Sequence, residues 1–209
     1  MGVTLLAIPG DYMPTIIREA QVKDIPHLAY VSLQATSGLF DALYEGSIPG
    51  RETALIVEHM FSRLNTTSSY LNCRILVVDG QVAGGLHGFP QSESGTSVGD
   101  PLMRRDRFNL LKPFYELPIP NDSYYIHSVG LYPEQRGRGY GRELMLKAEE
   151  IARSLQVNTT SLHVFQQNTQ ALTLYLGMGY TETGRSPVVP HPSLLYDGQL
   201  LLLEKTLTV

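Results

Sequence analysis

Tryptophan is absent from these 209 residues, and cysteine occurs once, at position 73. A lone Cys73 excludes a disulfide framework within the chain and fits a reducing compartment, so a cytoplasmic location is expected. Basic charge is not in excess: 16 Lys and Arg face 20 Asp and Glu, a formal net charge of −4. Broad nucleic-acid or membrane-surface binding needs a basic field, so neither partner is expected. No apolar run approaches the roughly 18 residues of a membrane span. The opening MGVTLLAIPGDYMP lacks a basic segment and meets Pro9 too soon for a secretory signal. Leu6 stands where a myristoylation signal wants Ser or Thr. Histidines 27, 59, 87, 127, 163 and 191 are dispersed without metal-ligand spacing, so no metal is expected. Hydrophobic residues make up 43%, which is ordinary for a globular chain able to bury a real core, and 209 residues make one large domain or two small ones.

Within those limits the chain reads as alternating elements. TIIREAQ (15–21) reads as a strand, and Asp24 stands as N-cap before a helix over 25–40, with Pro26 in its first turn. Leu55, Ile56, His59, Met60 and Leu64 recur at helical spacing within 50–64. Two apolar runs around Asp79-Gly80 make a hairpin over 73–89. Residues 90–120 break the pattern with prolines, Gly95, Gly99 and the cluster Arg104, Arg105 and Arg107, and read as an inserted loop. A strand (124–132), an amphipathic helix (142–155), a strand (160–165), a helix (168–179) and strand pairing around Asp197-Gly198 (194–207) complete the order. The class is α/β without strict alternation, which favours a mixed sheet. Cys73 opens a strand and reads as core; the arginine cluster reads as a solvated loop, with a substrate carboxylate or a cofactor phosphate as its functional alternative.

The stretch EQRGRGYGREL (134–144) places Gly137, Gly139 and Gly141 between a strand and a helix. Glycine allows a tight turn and close approach of a ligand to the backbone, and the helix start adds unpaired N–H groups and a positive dipole end. This is an anion site suited to phosphate, with Arg136, Arg138 and Arg142 adding charge. A Walker loop would need Gly-Lys-Ser/Thr, but Tyr140-Gly141-Arg142 follows Gly139. A Rossmann fingerprint would need glycine at 142, and no acidic residue closes the next strand.

Arg136-x-x-Gly139-x-Gly141 resembles the acetyl-CoA pyrophosphate loop of the GNAT superfamily of N-acetyltransferases. YIHSVGLYPEQRGRGYG (125–141) looks like that superfamily's fourth strand running into its loop. NTQALTLYLGMGY (168–180) resembles its N-x-x-A-x-x-x-Y-x-x-x-G-F helix, with Asn168, Ala171, Tyr175 and Gly179 in register and Tyr180 in place of Phe. The likeness is strong over 123–182, rests on element order alone over 15–89, and is silent over 90–120.

The resemblance implies a single domain over 1–209 with a GNAT fold, with about six to seven strands flanked by helices and a V-shaped splay between the fourth and fifth. It implies direct transfer of an acetyl group from acetyl-CoA to a primary amine, without metal. The cofactor's pantetheine arm would pair with the backbone of Val129, Gly130 and Leu131. Gly130 itself suggests a bulge or a close backbone approach. The pyrophosphate would lie on the amides from Arg136 through Gly137, Arg138, Gly139, Tyr140 and Gly141 to Arg142. Asn168 matches a polar contact to the pantetheine arm and also reads as a helix N-cap. Tyr175 matches the general acid that protonates the leaving thiolate. Strand alternation places Tyr125, His127, Val129 and Leu131 on one face, with His127 or a water as base and Tyr125 as a lesser candidate. The acceptor, a small molecule or peptide amine, would be held by 24–64, 90–120 and 183–198, with GLFDALYEG (38–46) in its lining. A homodimer is a common state of such proteins. The alternative is an acetyl-CoA-binding sensor or interaction module without turnover.

Overall fold

The computed structural model describes residues 15–93 and 100–208. Seven strands form one mixed sheet in the order β1-β2-β3-β4-β5-β7-β6. The strands are β1 (Thr15–Glu19), β2 (Cys73–Val78), β3 (Gln81–Pro90), β4 (Ser123–Leu131), β5 (Thr159–Phe165), β6 (Thr181–Pro187) and β7 (Gln199–Thr206). Helices α1 (Ile25–Ala35), α2 (Leu39–Tyr44) and α3 (Thr53–Ser62) precede β2. A short α4 (Lys112–Glu116) precedes β4, and α5 (Tyr140–Ser154) and α6 (Thr169–Gly177) flank β5. Among the described residues only β4 and β5 pair in parallel, with α5 as the helical crossover between them.

Two apolar layers enclose the sheet. On one face Leu28, Phe40, Leu43, Ile56 and Phe61 pack with Ile75. On the other Leu144, Met145, Ala148 and Ala152, the buried stripe of α5, meet Leu86, Ile126, Leu162 and Leu203.

Four readings of the sequence change. The helix expected over 25–40 ends at Ala35, because Ser37 and Gly38 take left-handed backbone (φ 53° and 86°), and α2 starts afresh. Asp24 precedes α1, but its side chain does not cap the helix. Its carboxylate accepts both Arg18 guanidinium bonds, at 2.7 and 2.8 Å, and the Gln21 amide. Part of the 90–120 stretch is ordered as a 3-10 turn over Arg105–Leu111 and as α4. The pairing expected around Asp197-Gly198 falls elsewhere: β7 pairs with β5 and with β6, a strand the sequence reading missed. Its TETGRSP lacks an apolar alternation because it is the sheet's outer edge.

Candidate active site

β4 and β5 touch only where they begin. Their register runs through Ser123–Thr159, Tyr124–Thr160 and Tyr125–Ser161 and then stops, although β4 continues to Leu131 and β5 to Phe165. The V-shaped opening expected from the family resemblance is therefore present. β4 stays paired to β3 on its other edge from Tyr124 to Leu131 except at one residue, as in Leu86–Val129 and Gly85–Gly130. Its free edge over 129–131 faces the opening.

A bulge sits inside β4, at a different residue from the one the sequence suggested. His87 pairs with Ser128 and Gly88 with Ile126, which leaves His127 without a partner on β3. The bulge is at His127, and it reverses the alternation of faces. Tyr124 and Ile126 pack on the α5 side, and beyond the bulge Val129 and Leu131 do so too. Tyr125, His127 and Ser128 face the α1–α3 side, where the Ser128 hydroxyl lies 3.2 Å from that of Ser32. The expectation of one common face for residues 125, 127, 129 and 131 is corrected by this single inserted residue. Gly130 has the second of its two proposed reasons: a Cβ there would meet Val31 of α1.

The opening leads into a cleft of about 420 Å³. Val129, Gly130, Leu131, Arg136, Gly137, Gly139, Gly141, Arg142, Asn168 and Tyr175 all line it. Two residues named from the sequence do not: Arg138 is exposed away from it, and Tyr140 packs its ring against the α5 core. Gln34, Ser37, Leu195 and Tyr196 also line the cleft, and no local sequence signal marked them. Gly137 and Gly139 take φ of 75° and 87°, and a Cβ on either would point into open space. That left-handed backbone is the one glycine adopts without strain. The first backbone bond of α5 is donated by Arg142 to the Gly139 carbonyl, which leaves the preceding amides Tyr140 and Gly141 in the unpaired first turn. Arg136 and Arg142 add two cations to this amide-rich end.

Asn168 caps α6, its side-chain oxygen accepting the Ala171 amide at 3.3 Å, and it lines the cleft as well. Tyr175, two turns further along α6, lies beside Tyr180 with ring centres 6.1 Å apart. Burial pushes its phenol up to about 12, so it stays protonated at any working pH.

A second cavity, of about 390 Å³, lies on the other side of β4. Its walls include Phe40, Leu43, Met60, Phe61, Met103 and Phe114, with the Arg63–Asp100 ion pair also in its lining. Its strand floor carries His87, Tyr125 and His127. The stretch 38–46 lines it through Leu39, Phe40, Leu43 and Tyr44, whereas Leu195 and Tyr196 of 183–198 line the other cleft. His127 is half-buried, and its ring is pushed down to about 3, first by desolvation and then by the nearby rings of His87 and His163. At neutral pH the ring is therefore uncharged rather than partly protonated. Tyr125 is committed elsewhere. His163 Nε2 lies 2.9 Å from the Leu117 carbonyl, so it carries the proton, and its bare Nδ1 accepts the Tyr125 hydroxyl at 3.1 Å. Of the arginine cluster, Arg107 is half-buried and donates to the Ala42 carbonyl and to His191, tying the 105–111 turn to α2. Arg104 pairs with Asp106 at the surface.

Residues 39–180 match the model of the acetyltransferase (GNAT) family, which is more than half of the chain. The chain belongs to the GNAT family. Members of this family are acyltransferases that use acetyl-CoA, and the cleft residues of this GNAT chain suit that group: free amides, two arginines and an open strand edge. YycN of Bacillus subtilis, an uncharacterized N-acetyltransferase, is 38% identical over 64 residues, which is 31% of this chain and 41% of that protein. An N-acetyltransferase from Staphylococcus aureus has a similar fold, with a TM-score of 0.65 at 19% identity over 91% of this chain and all of the other. So does yncA of Salmonella typhimurium, solved with its cofactor acetyl-CoA, with a TM-score of 0.56 at 17% identity over 93% and 94% of the two chains. Among the described residues no cluster of His, Cys, Asp or Glu could hold a metal ion, and no helix is long and apolar enough to cross a membrane.

Proposed function

We propose that this chain is an N-acetyltransferase that moves the acetyl group of acetyl-CoA directly onto a primary amine. One observation carries the reading: a single strand lines both cavities. Residues 129–131 of β4 border the cleft with the glycine loop, and His127, across the bulge, borders the cavity with the aromatic walls. A cofactor on one side and an acceptor on the other would then meet at the bulge.

In this reading the pantetheine arm pairs with the free edge of Val129–Leu131, and the pyrophosphate accepts from the amides of 136–142. Asn168 presents its remaining amide hydrogens to the arm. The acceptor is a small-molecule or peptide amine whose apolar part fills the cavity of Phe40, Phe61 and Phe114. It enters uncharged, because a ring held near 3 takes no proton from a free alkylammonium. The amine lone pair attacks the thioester carbonyl while His127 accepts a hydrogen bond from the amine. The C–S bond then breaks and the amide forms. The proton lost from nitrogen passes to His127 or to a water. The Tyr175 hydroxyl donates to the departing sulfur; with its phenol held near 12, its main contribution is to stabilise the thiolate charge by hydrogen bonding.

A thiol-release assay with acetyl-CoA against a broad panel of amines tests this. Acetylated product and free thiol in equal amounts are expected with at least one amine. Acetyl-CoA binding with no thiol released from any amine would replace the enzyme with a binding module.

A further inference from the structure

His87 lies in the floor of the acceptor cavity, 3% exposed, and the mechanism above gives it no task. Its Nε2 lies 2.7 Å from the Thr67 carbonyl oxygen. A carbonyl only accepts, so Nε2 carries the proton and Nδ1 of the neutral ring is a bare lone pair. That Nδ1 is closed off from solvent and has no hydrogen-bond partner. Buried polar atoms without a partner are few in native proteins, and each asks for an explanation.

The neighbouring ring has the same defect. His127 lies 4.8 Å from His87, centre to centre, at an interplanar angle of 49°, and its own Nδ1 is also closed off and unpartnered. The β4 bulge brings the two together: His87 pairs with Ser128, so the extra residue His127 is directed to the same face beside it. One ring offers a lone pair of known position. The other has a nitrogen that needs a partner and no bond that fixes its tautomer.

We propose that His87 is a positioning residue for His127: the Nδ1–H of His127 donates to Nδ1 of His87, which turns the Nε2 lone pair of His127 toward the acceptor amine. The Thr67 carbonyl anchors His87, so the movable part is the His127 ring, which closes the bond by turning about its Cβ–Cγ bond. No proton passes between the rings. A carboxylate in place of His87 would draw a proton onto His127; a neutral imidazole orients the ring and leaves it an acceptor. Tyr125, edge-on to His127 at 5.9 Å, does not compete, because its hydroxyl proton is bonded to His163. The catalytic half of this assignment rests on the acceptor-site reading above; the tautomer half does not.

Ring-15N labelling of histidine in the full chain, read by two-bond nitrogen–proton correlation, tests both halves. In the unaltered protein His127 is expected as the Nδ1–H tautomer and His87 as Nε2–H. His87→Phe keeps an aromatic ring among Phe61 and Phe89 but offers no lone pair. It should release His127 from the Nδ1–H form and lower kcat roughly 10- to 100-fold, at or below the 10²–10⁴ expected for loss of a general base itself. KM for acetyl-CoA should not change. His87→Asn places an amide oxygen at the position of Nδ1, where it can accept from His127, and should restore both signals. His127 on Nε2–H in the unaltered protein overturns the proposal, as does a His87→Phe variant with unchanged tautomer and kcat. Full turnover by His127→Ala overturns the catalytic half alone and leaves the tautomer pairing standing, which separates that failure from the other.

Discussion

Gly130 backs directly onto Val31: a Cβ added to the glycine would fall 2.8 Å from Val31 Cγ1 and 3.1 Å from the Val31 carbonyl oxygen. Helix α1 therefore presses on β4 at the point where the strand presents its free edge. Gly130→Ala should force one of them to move, at a cost of about 1–3 kcal/mol typical of overpacking. We expect a lower melting midpoint and weaker acetyl-CoA binding together, measured by thermal unfolding and calorimetry. No change in either would show that helix and strand yield without cost.

Gly139→Val should behave differently. The space around its Cβ is empty, so the folding penalty is confined to the left-handed backbone, about 1–3 kcal/mol. The side chain would project into the open space beside the loop, where the proposed pyrophosphate site lies. Acetyl-CoA affinity should fall much further than stability does. Normal affinity in a titration would remove the loop from the cofactor site.

Acetyl-CoA itself should raise the melting midpoint. Binding the native state alone adds about 2.7 kcal/mol at a hundredfold excess over Kd. ATP and NADH should shift it far less; an equal shift with ATP would mean that the cleft selects nucleotides rather than the pantetheine arm.

Tyr175→Phe keeps the ring beside Tyr180 and removes the hydroxyl. If that hydroxyl stabilises the departing thiolate, kcat should fall roughly 10²–10⁴-fold. Acetyl-CoA affinity and melting should hardly move, because the lost interaction belongs to the transition state. A core-packing tyrosine would give the reverse pattern. Near-normal turnover on a working acceptor would end its catalytic assignment.

Acid should destabilise the fold through its desolvated imidazoles. From the ordinary 6.5, burial pushes His87 and His163 down to about 4 and His127 to about 3. The unfolded chain takes up these protons near 6.5 and the folded chain does not. Their neutral burial therefore imposes no penalty above about pH 6.5, and stability is lost as pH falls toward 4. Each ring contributes a slope of about 1.4 kcal/mol per pH unit in that window. Denaturant midpoints measured from pH 7 to 4 should show the fall, and His163→Phe should flatten it by one proton. A flat profile would contradict neutral burial of the three rings.

Much of the cofactor cleft was legible because its determinants are local. Gly137, Gly139, Arg142 and Asn168 act through backbone conformation, a helix start and a cap, which a few adjacent residues specify. Tyr175 was found through the resemblance of 168–180 to the family's helix motif; its position alone did not separate a catalytic from a core tyrosine. The strand-to-helix order likewise follows from apolar periodicity, and with it the α/β class. The acceptor side was not legible, because it depends on register. The side-chain direction of a strand reverses with each residue, so one bulge at His127 separates its face from that of Val129, and nothing in YIHSVGLY marks where the extra residue falls. The meeting of His87, His127 and His163 depends on three strands from distant parts of the chain, and the burial that shifts them is set by helices packed above the sheet. The sequence alone determined which segments turn and cap; tertiary structure decided which side chains share a cavity, because strand register and burial are properties of the assembled sheet.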